Sequence, residues 1–558
     1  MDTAGERSAD RVTDVAAAVG AAFFELGVDT AFGVLGSGNF VATEAFVAAG
    51  GTFHAARHEG GAASMADGFG RVTGRPALVS VHQGPGLTNA ITAIGEAVKA
   101  RVPMVVFAGD TAPGALRSNF RVDQHALVES VGARAERLRG PGSPVADAAR
   151  ALARARDERR PVVLMAPVDL QEEAVEEGAP ATPPPAPLPA GASPAAIASL
   201  ADLLLAARRP LVIAGRGAVV ADAGASLAEL GERAGAMLAT TAMAKGLFAG
   251  HPHLLGISGG FSSPPTAELI ASADLVLAVG ASLTPWTTRE GSLFAAAEKL
   301  VRIDVEADAA VGEGADLVVL GDAAEVTAAL CAELAERGHD CRRYPEIEAA
   351  ARRCAWRLQR FEEASGPGRI DPRSFSIALE AALPTERTVV VDSGHFVGWP
   401  AMYLEPPDAR SWVFVNAFQA VGLGLGAAIG AAVARPDRVT VLAIGDGGLL
   451  MSLPELETAA RLGLRLLIVA YDDAAYGAEV HPFGAAGHDV SLVRFPDTDL
   501  AAIGRAAGLG AVTVREYADL EPVATWAAAP DGPLLVDAKV DPGVCAEWLT
   551  LTFEQGHH

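Results

Sequence analysis

Short apolar runs that end at or near glycine recur along the whole chain, and Ala-rich stretches of helical pattern separate them. "TAFGVLG", "PALVSVH" and "VPMVVFAGD" come first, then "PLVIAGRG", "ADLVLAVGAS" and "KLVRIDVE". "TVVVDSG", "VTVLAIGDG", "LRLLIVAYDD" and "PLLVDAKV" close the series. Strands alternating with helices stack most simply as parallel sheets with helices on both faces. The expected fold is α/β, with three doubly wound parallel-sheet domains.

Two interruptions divide the series. "EEGAPATPPPAPLPAGASP" is rich in proline, which continues neither a helix nor a central strand, and reads as an extended linker over residues 176–194. A charged helical stretch, "EIEAAARRCAWRLQRFEEA", ends in "SGPG" and reads as a connector over 341–370. The expected domains are 8–175, 195–340 and 371–545. No close internal repeat relates them, but their size and their strand-to-glycine endings match. In such sheets ligands bind beyond the carboxyl ends of the strands, so glycines and acids there are the candidates for function.

Bulk composition narrows the function classes. The net charge of −24 argues against a nucleic-acid surface. No apolar stretch is both long and uncharged enough to suggest a membrane span, and "MDTAGERSADR" is unlike a signal peptide. The four cysteines are widely spaced and fit neither a zinc pattern nor a disulfide framework. A reducing, cytoplasmic location is the expectation.

The richest strand end is "AIGDGGLLMSLPELETAARLGLRLLIVAYDDAAYG". An apolar strand runs into Asp446 between glycines, with Ser452 a candidate N-cap and Pro454 just inside the following helix. Gly463 ends that helix, and a second strand ends at Asp472 and Asp473. A right-handed crossover of this length brings both acidic ends to one sheet edge. Glycines let main-chain N–H groups approach an anion, but two carboxylates repel a bare phosphate. A magnesium ion between them resolves that conflict.

"GDG" followed by an acidic pair at this interval resembles the thiamine-diphosphate motif of the acetolactate synthase and benzaldehyde lyase group. That family usually has Asn where this chain has Asp473. Two further segments extend the resemblance over nearly the whole chain. "RHEGGAASMADGFGRVTGRPALVSVHQGPGLTNAITAIGEA" is similar to the pyrimidine-binding domain, and "FQAVGLGLGAAIGAAVA" to the segment that wedges the cofactor into a V. The resemblance implies that Asp446, Asp473 and the main-chain oxygen of Ala475 hold Mg²⁺. It implies that Gly445, Gly447 and Gly448 give the diphosphate a close backbone approach and that His395 donates to it. It implies that Glu59 hydrogen-bonds N1′ of the aminopyrimidine and so activates thiazolium C2, an acid that should be buried beside an apolar ring. The small residues after Glu59 are expected to let the cofactor or another chain approach. Val421 corresponds to the wedge, and Gln419 offers its carbonyl to the 4′-amino group.

"VLGSGNF", with Ser37 and Asn39, resembles a family loop beside the reacting carbon, "VHQGPG", with His82 and Gln83, is another such strand end, and His481 in "AEVHPFG" follows the metal motif, where relatives commonly have a mobile lid. His82 and Gln83 are candidates for catalysis; Ser37, Asn39 and His481 are candidates for substrate contact. The central domain of some relatives binds FAD. "GASLTPWTTREG" departs from the Arg- and Asp-containing segment that contacts it, so a flavin is disfavoured. The implied activity is carboligation or lysis with a 2-oxoacid such as pyruvate. Simple 2-oxoacid decarboxylation, and lysis of a 2-hydroxy ketone or 2-hydroxyacyl thioester, are the alternatives within the family. A catalytically inactive regulatory homologue is the alternative of another class. The implied partners are small-molecule substrates and further copies of the chain, at least a dimer and by expectation a tetramer, with no nucleic acid and no membrane.

Overall fold

The computed structural model describes residues 13–175, 184–307 and 314–554. Residues 8–12 of the expected first domain and 176–183 of the expected linker lie outside the described residues. Within them, the strands form three six-stranded sheets with every pairing parallel.

The first sheet holds β1 (Thr30–Gly33), β2 (Thr52–Ala55), β3 (Ala77–Val81), β4 (Met104–Asp110), β5 (Arg134–Arg137) and β6 (Pro161–Pro167), in the order β2-β1-β3-β4-β6-β5. The central sheet holds β7 (Pro210–Ala214), β8 (Met237–Thr240), β9 (Leu254–Ile257), β10 (Leu275–Val279), β11 (Lys299–Asp304) and β12 (Leu317–Leu320), in the order β12-β11-β10-β7-β8-β9. The last sheet holds β13 (Arg387–Val391), β14 (Trp412–Phe414), β15 (Val439–Gly445), β16 (Leu466–Asp472), β17 (Gly510–Val514) and β18 (Leu534–Lys539), in the order β14-β13-β15-β16-β18-β17.

The central order reverses direction once, at β7/β10; the two outer orders reverse at β1/β3 and at β13/β15, and again at their far edges, where β6 returns beside β4 and β18 beside β16. A reversal sends successive crossover helices to opposite faces and opens a crevice beyond the strand ends. This detail of topology decides which of the many strand-end glycines and acids lie together.

The chain groups into two compact units. The first takes the described residues up to Pro187 together with Val415–Ala434 and Ser452–Leu462. The second takes Leu188–Phe414, Arg435–Met451 and the described residues from Gly463 onward. Two segments of the 371–545 stretch therefore pack with the first sheet.

Inside the first unit, the helix Glu59–Thr73 lies directly against the helix Gly424–Ala434. A Cβ at Gly68 would stand 2.0 Å from the Ala427 carbonyl oxygen, and one at Gly430 only 1.8 Å from that of Met65. The small residues of "EGGAASMADGFG" thus serve packing within the chain, where the sequence suggested approach by the cofactor or another chain. Because backbone meets backbone, no rotamer change relieves an added methyl. Gly430→Ala is expected to cost about 3 kcal/mol, near the top of the range for overpacking. Denaturant unfolding of the variant checks this, and a loss below about 0.5 kcal/mol would contradict the packing.

In the second unit, Lys245 ties the central and last sheets together. Its buried ammonium donates to the carbonyl oxygens of Ala401 at 2.7 Å and Leu404 at 2.5 Å and lies 5.2 Å from the Trp412 ring. Trp412 Nε1 in turn donates to the Ala242 carbonyl oxygen at 2.8 Å.

Candidate active site

In the last sheet, β13 and β15 flank the reversal. After β13 the chain passes Asp392, Ser393 and Gly394 into a short turn carrying His395. β15 ends at Gly445, and Asp446 opens the six-residue helix Asp446–Met451. Ser452 and Leu453 form a turn, and Leu453, with φ −44° and ψ −41°, precedes the helix Pro454–Arg461 without any side-chain cap. The expected capping by Ser452 is therefore replaced: there is no extended residue before Pro454 for a cap to close.

Asp446 is 7% exposed, and among the described residues no lysine or arginine pairs with it. Burial, reinforced by the carboxylates of Asp473 and Asp472, pushes its pKa up to about 8. Asp472 and Asp473, adjacent in sequence, have different surroundings. Asp472 ends β16 and meets the buried Lys539 ammonium at 2.5 Å, in a cluster that also holds Asp497 at 2.7 Å and Asp537 at 3.1 Å. Asp473 lies beyond the strand, where its Oδ1 accepts the Ala475 amide at 3.2 Å. Ala474, which follows both acids, has φ +57° and turns the chain just beyond Asp473.

Gly477 is required beside this turn, since a Cβ would stand 2.8 Å from both Asp473 Oδ2 and His395 Nδ1. A Cβ on Gly447 would stand 2.7 Å from the Tyr476 ring. Two carboxylates without a lysine or arginine partner, beside a main-chain carbonyl in the same turn, form a hard oxygen donor set that suits Mg²⁺.

This charge imbalance gives a pH dependence with a definite sign. The Asp446 carboxyl, with an ordinary value of 3.8, holds its proton up to about pH 8 in the fold. Its contribution to stability is whole below pH ~4 and is lost as pH rises through 8. A cation between the acids removes the penalty. Thermal unfolding without metal is expected to weaken from pH 5 to pH 8, and Mg²⁺ is expected to stabilise more at pH 8 than at pH 5. At a hundredfold excess over its dissociation constant the ion contributes about 2.7 kcal/mol. A magnesium effect independent of pH would reject the assignment.

His395 is buried, and its Nε2 accepts the Ala546 amide at 2.9 Å. The lone pair is therefore on Nε2 and the ring proton on Nδ1, which lies 3.8 Å from Asp473 Oδ2. His481 stands on the helix Gly477–Ala485 with its ring 4.5 Å from that of His395. Burial and the neighbouring His395 push its pKa down to about 4, and its buried Nε2 has no hydrogen-bond partner. The two imidazoles and the Cys545 thiol place ligand atoms within 4.8 Å of one another. His395 has no lone pair to spare, so the three are better read as a lining than as a metal centre.

The first unit carries the remaining candidates. Glu59 is the first residue of its helix, after His58, whose side chain accepts the Gly60 amide. Glu59 Oε2 accepts from Asn89 Nδ2 at 3.0 Å. The acid is half-buried in the single chain, less enclosed than the sequence suggested. Glu455 supports the same helix end: its Oε1 accepts the amides of His58 at 3.0 Å and Arg57 at 3.2 Å. The sequence reading passed over Glu455, because an acid in a helix's first turn is common and its acceptor role depends on residues far away in the chain.

At the first-sheet reversal, the loop after β1 brings Ser37 to His82, with Oγ and Nε2 3.4 Å apart. His82 Nδ1 and Gln83 Oε1 are buried without hydrogen-bond partners. Asn39 has another task than the expected substrate contact. It is 0% exposed, its Oδ1 accepts the Gly36 amide, and its Nδ2 donates to the Val34 carbonyl and Ser80 Oγ. It shapes the loop from inside. Gln419 has φ +57°, and Val421 is 40% exposed.

Three descriptions match the chain in order: "Thiamine pyrophosphate enzyme, N-terminal TPP binding domain" over residues 13–129, the central domain of the same enzymes over 197–330, and the C-terminal TPP binding domain over 392–538. The chain belongs to the thiamine pyrophosphate enzyme family. It is similar to a Pseudomonas aeruginosa protein named "Probable 2-ketoarginine decarboxylase", 32% identical over 518 residues, which span 89% of this chain and 88% of that protein. A sulfoacetaldehyde acetyltransferase of Rhodobacter capsulatus is 29% identical over 481 residues, 81% of each chain. An acetolactate synthase large subunit of Parasynechococcus marenigrum is 30% identical over 427 residues, 74% of this chain and 68% of that protein. No helix among the described residues is long and apolar enough to cross a membrane.

Proposed function

We propose that the protein is a thiamine-diphosphate- and Mg²⁺-dependent carboligase or lyase that takes a 2-oxoacid such as pyruvate, releases CO₂ and joins the remaining fragment to an acceptor carbonyl. The observation that carries this reading is the pair Asp446 and Asp473, at neighbouring strand ends, with no lysine or arginine among the described residues paired with either. Such a pair calls for a cation and, through it, for a phosphate tail.

When bound, thiamine diphosphate supplies a carbon nucleophile and an electron sink beside a carbonyl. Asp446, Asp473 and the Ala475 carbonyl hold the ion. His395 presents Nδ1–H towards the tail. With the cofactor bound, Glu59 would exchange a proton with N1′ of the aminopyrimidine, the Gln419 carbonyl would accept from the 4′-amino group, and Val421 would brace the ring end. Ser37, His82, Gln83 and His481 face the substrate. His481, neutral at pH 7, offers a base rather than a charge.

Each complete site takes Glu59 from one chain and the metal-binding residues from another, so the working unit is a homodimer or a pair of them. The half-exposure of Glu59 and the exposed Phe40, Val47, Phe418 and Val421 of the first unit support this. Sedimentation at working concentration tests it, and a monomer with full activity would reject it.

Simple decarboxylation is the second reading, favoured by the similarity to the probable 2-ketoarginine decarboxylase over most of both chains. Assays with pyruvate or 2-ketoarginine, each with and without an acceptor aldehyde, separate the outcomes. A ligated product supports the first reading, and free aldehyde with CO₂ the second. Cofactor binding without turnover of either acid would support an inactive homologue.

A further inference from the structure

The helix Pro85–Lys99 carries a buried carboxylate that the proposed chemistry does not use. Glu96 is 1% exposed. Its Oε1 accepts from Arg71 Nη2 at 2.7 Å and from the Ala417 amide at 2.9 Å, and its Oε2 accepts the Phe418 amide at 2.6 Å. Arg71 is also buried and donates through Nε to Asp67 Oδ2 at 2.8 Å. The neighbouring Gly95 makes room for the same segment, since a Cβ there would stand 3.0 Å from the Phe418 ring.

Those two amides open the loop 417–423, which has neither helix nor strand. Phe418, Gln419 and Val421 are exposed, and Gln419 holds φ +57°, a region that strains a residue with a Cβ. An exposed, strained loop keeps one shape only if something rigid determines it. A carboxylate locked by a buried arginine and gripping two consecutive amides is such a device. Neutralising Arg71 does not account for it, because Asp67 already supplies a carboxylate and the amides need none.

We propose that Glu96 is a positioning residue for the ring end of the cofactor. It sets the loop so that the Gln419 carbonyl and the Val421 side chain meet the aminopyrimidine before any ligand arrives. The inference rests on the reading above in which those two residues touch the cofactor. What it adds is that the loop is shaped from within the first unit by the Arg71–Glu96 pair.

Calorimetry on full-length Glu96→Gln with two probes tests this. Affinity for thiamine diphosphate with Mg²⁺ is expected to fall about tenfold, while affinity for inorganic pyrophosphate with Mg²⁺ is unchanged. Val421→Ala is expected to weaken thiamine diphosphate similarly, and the double variant to lose less than the product of the two, because both act through one loop. A purely structural role for Glu96 predicts equal loss for both probes, or effects that multiply, and either result overturns the proposal. Unchanged affinity in Glu96→Gln beside a loss in Val421→Ala also overturns it. Unchanged affinity in Val421→Ala rejects the underlying reading of the wedge, and the proposal with it. Should Glu96→Gln fail to fold, hydrogen exchange of the cofactor-free natural protein decides. Slow exchange of the Ala417 and Phe418 amides in this exposed loop supports the clamp, and free exchange there removes it.

Discussion

Turnover by Glu59→Gln is expected to fall by about three orders of magnitude while thiamine diphosphate binds within a few-fold of its natural affinity. The two effects separate because the residues that perform them are separate. In the proposed site the diphosphate end would depend on Asp446, Asp473 and a cation, none of which the substitution touches. Glutamine preserves the size of the side chain and can still accept from Asn89 Nδ2, so the start of the helix Glu59–Thr73 is retained. It cannot exchange a proton with N1′. The loss should therefore fall on kcat at saturating cofactor, with little change in the Michaelis constant of the oxoacid. Steady-state rates with the best substrate found, beside calorimetry of the same preparation, measure both quantities. Equal activity in the variant would reject the assigned role of Glu59.

Asp446→Asn is expected to do two opposite things. Cofactor binding in the presence of Mg²⁺ should weaken by at least about a hundredfold, since one of two anionic ligands is lost. The cofactor-free protein should become more stable near pH 8, because a neutral amide of the same shape replaces a buried carboxylate that resists ionisation. A substitution that simply damaged the fold would lower both quantities. Thermal unfolding at pH 5 and pH 8 gives the second measurement, and the gain should shrink towards pH 5, where the natural carboxyl keeps its proton. A variant that binds thiamine diphosphate normally with Mg²⁺ would remove Asp446 from the metal site.

Much of the fold was readable because its signals are local. "RVTVLAIGDG" and "LRLLIVAYDD" are apolar enough to declare themselves buried, and they became β15 and β16 at the heart of the last sheet. Edge strands were less visible. β2 and β5 have half-exposed side chains and no continuous apolar run, so nothing local distinguishes "TFHA" or "RAER" from loop or helix. β6, "PVVLMAP", has the buried pattern of a central strand but is not among the strands read from the sequence.

At the candidate site, residue type and strand-end position were legible, but partners were not. Asp472 and Asp473 are equivalent as sequence, yet Lys539 engages the first, while no lysine or arginine among the described residues pairs with the second. Asn39 looked like a substrate contact until Gly36, Val34 and Ser80 took its polar atoms. Glu455 and Glu96 were overlooked because the amides they accept lie hundreds of residues away.

The sequence by itself determined the alternation of strand and helix, the glycines at strand ends and the acids one crossover apart, since periodicity and spacing are properties of neighbouring residues. Only the tertiary structure decided where each sheet reverses, which acid stays uncompensated and which small residues serve helix packing. Those outcomes depend on which distant groups come within about 3 Å, and a hydrogen bond or a close backbone contact leaves no trace in the local pattern of either partner.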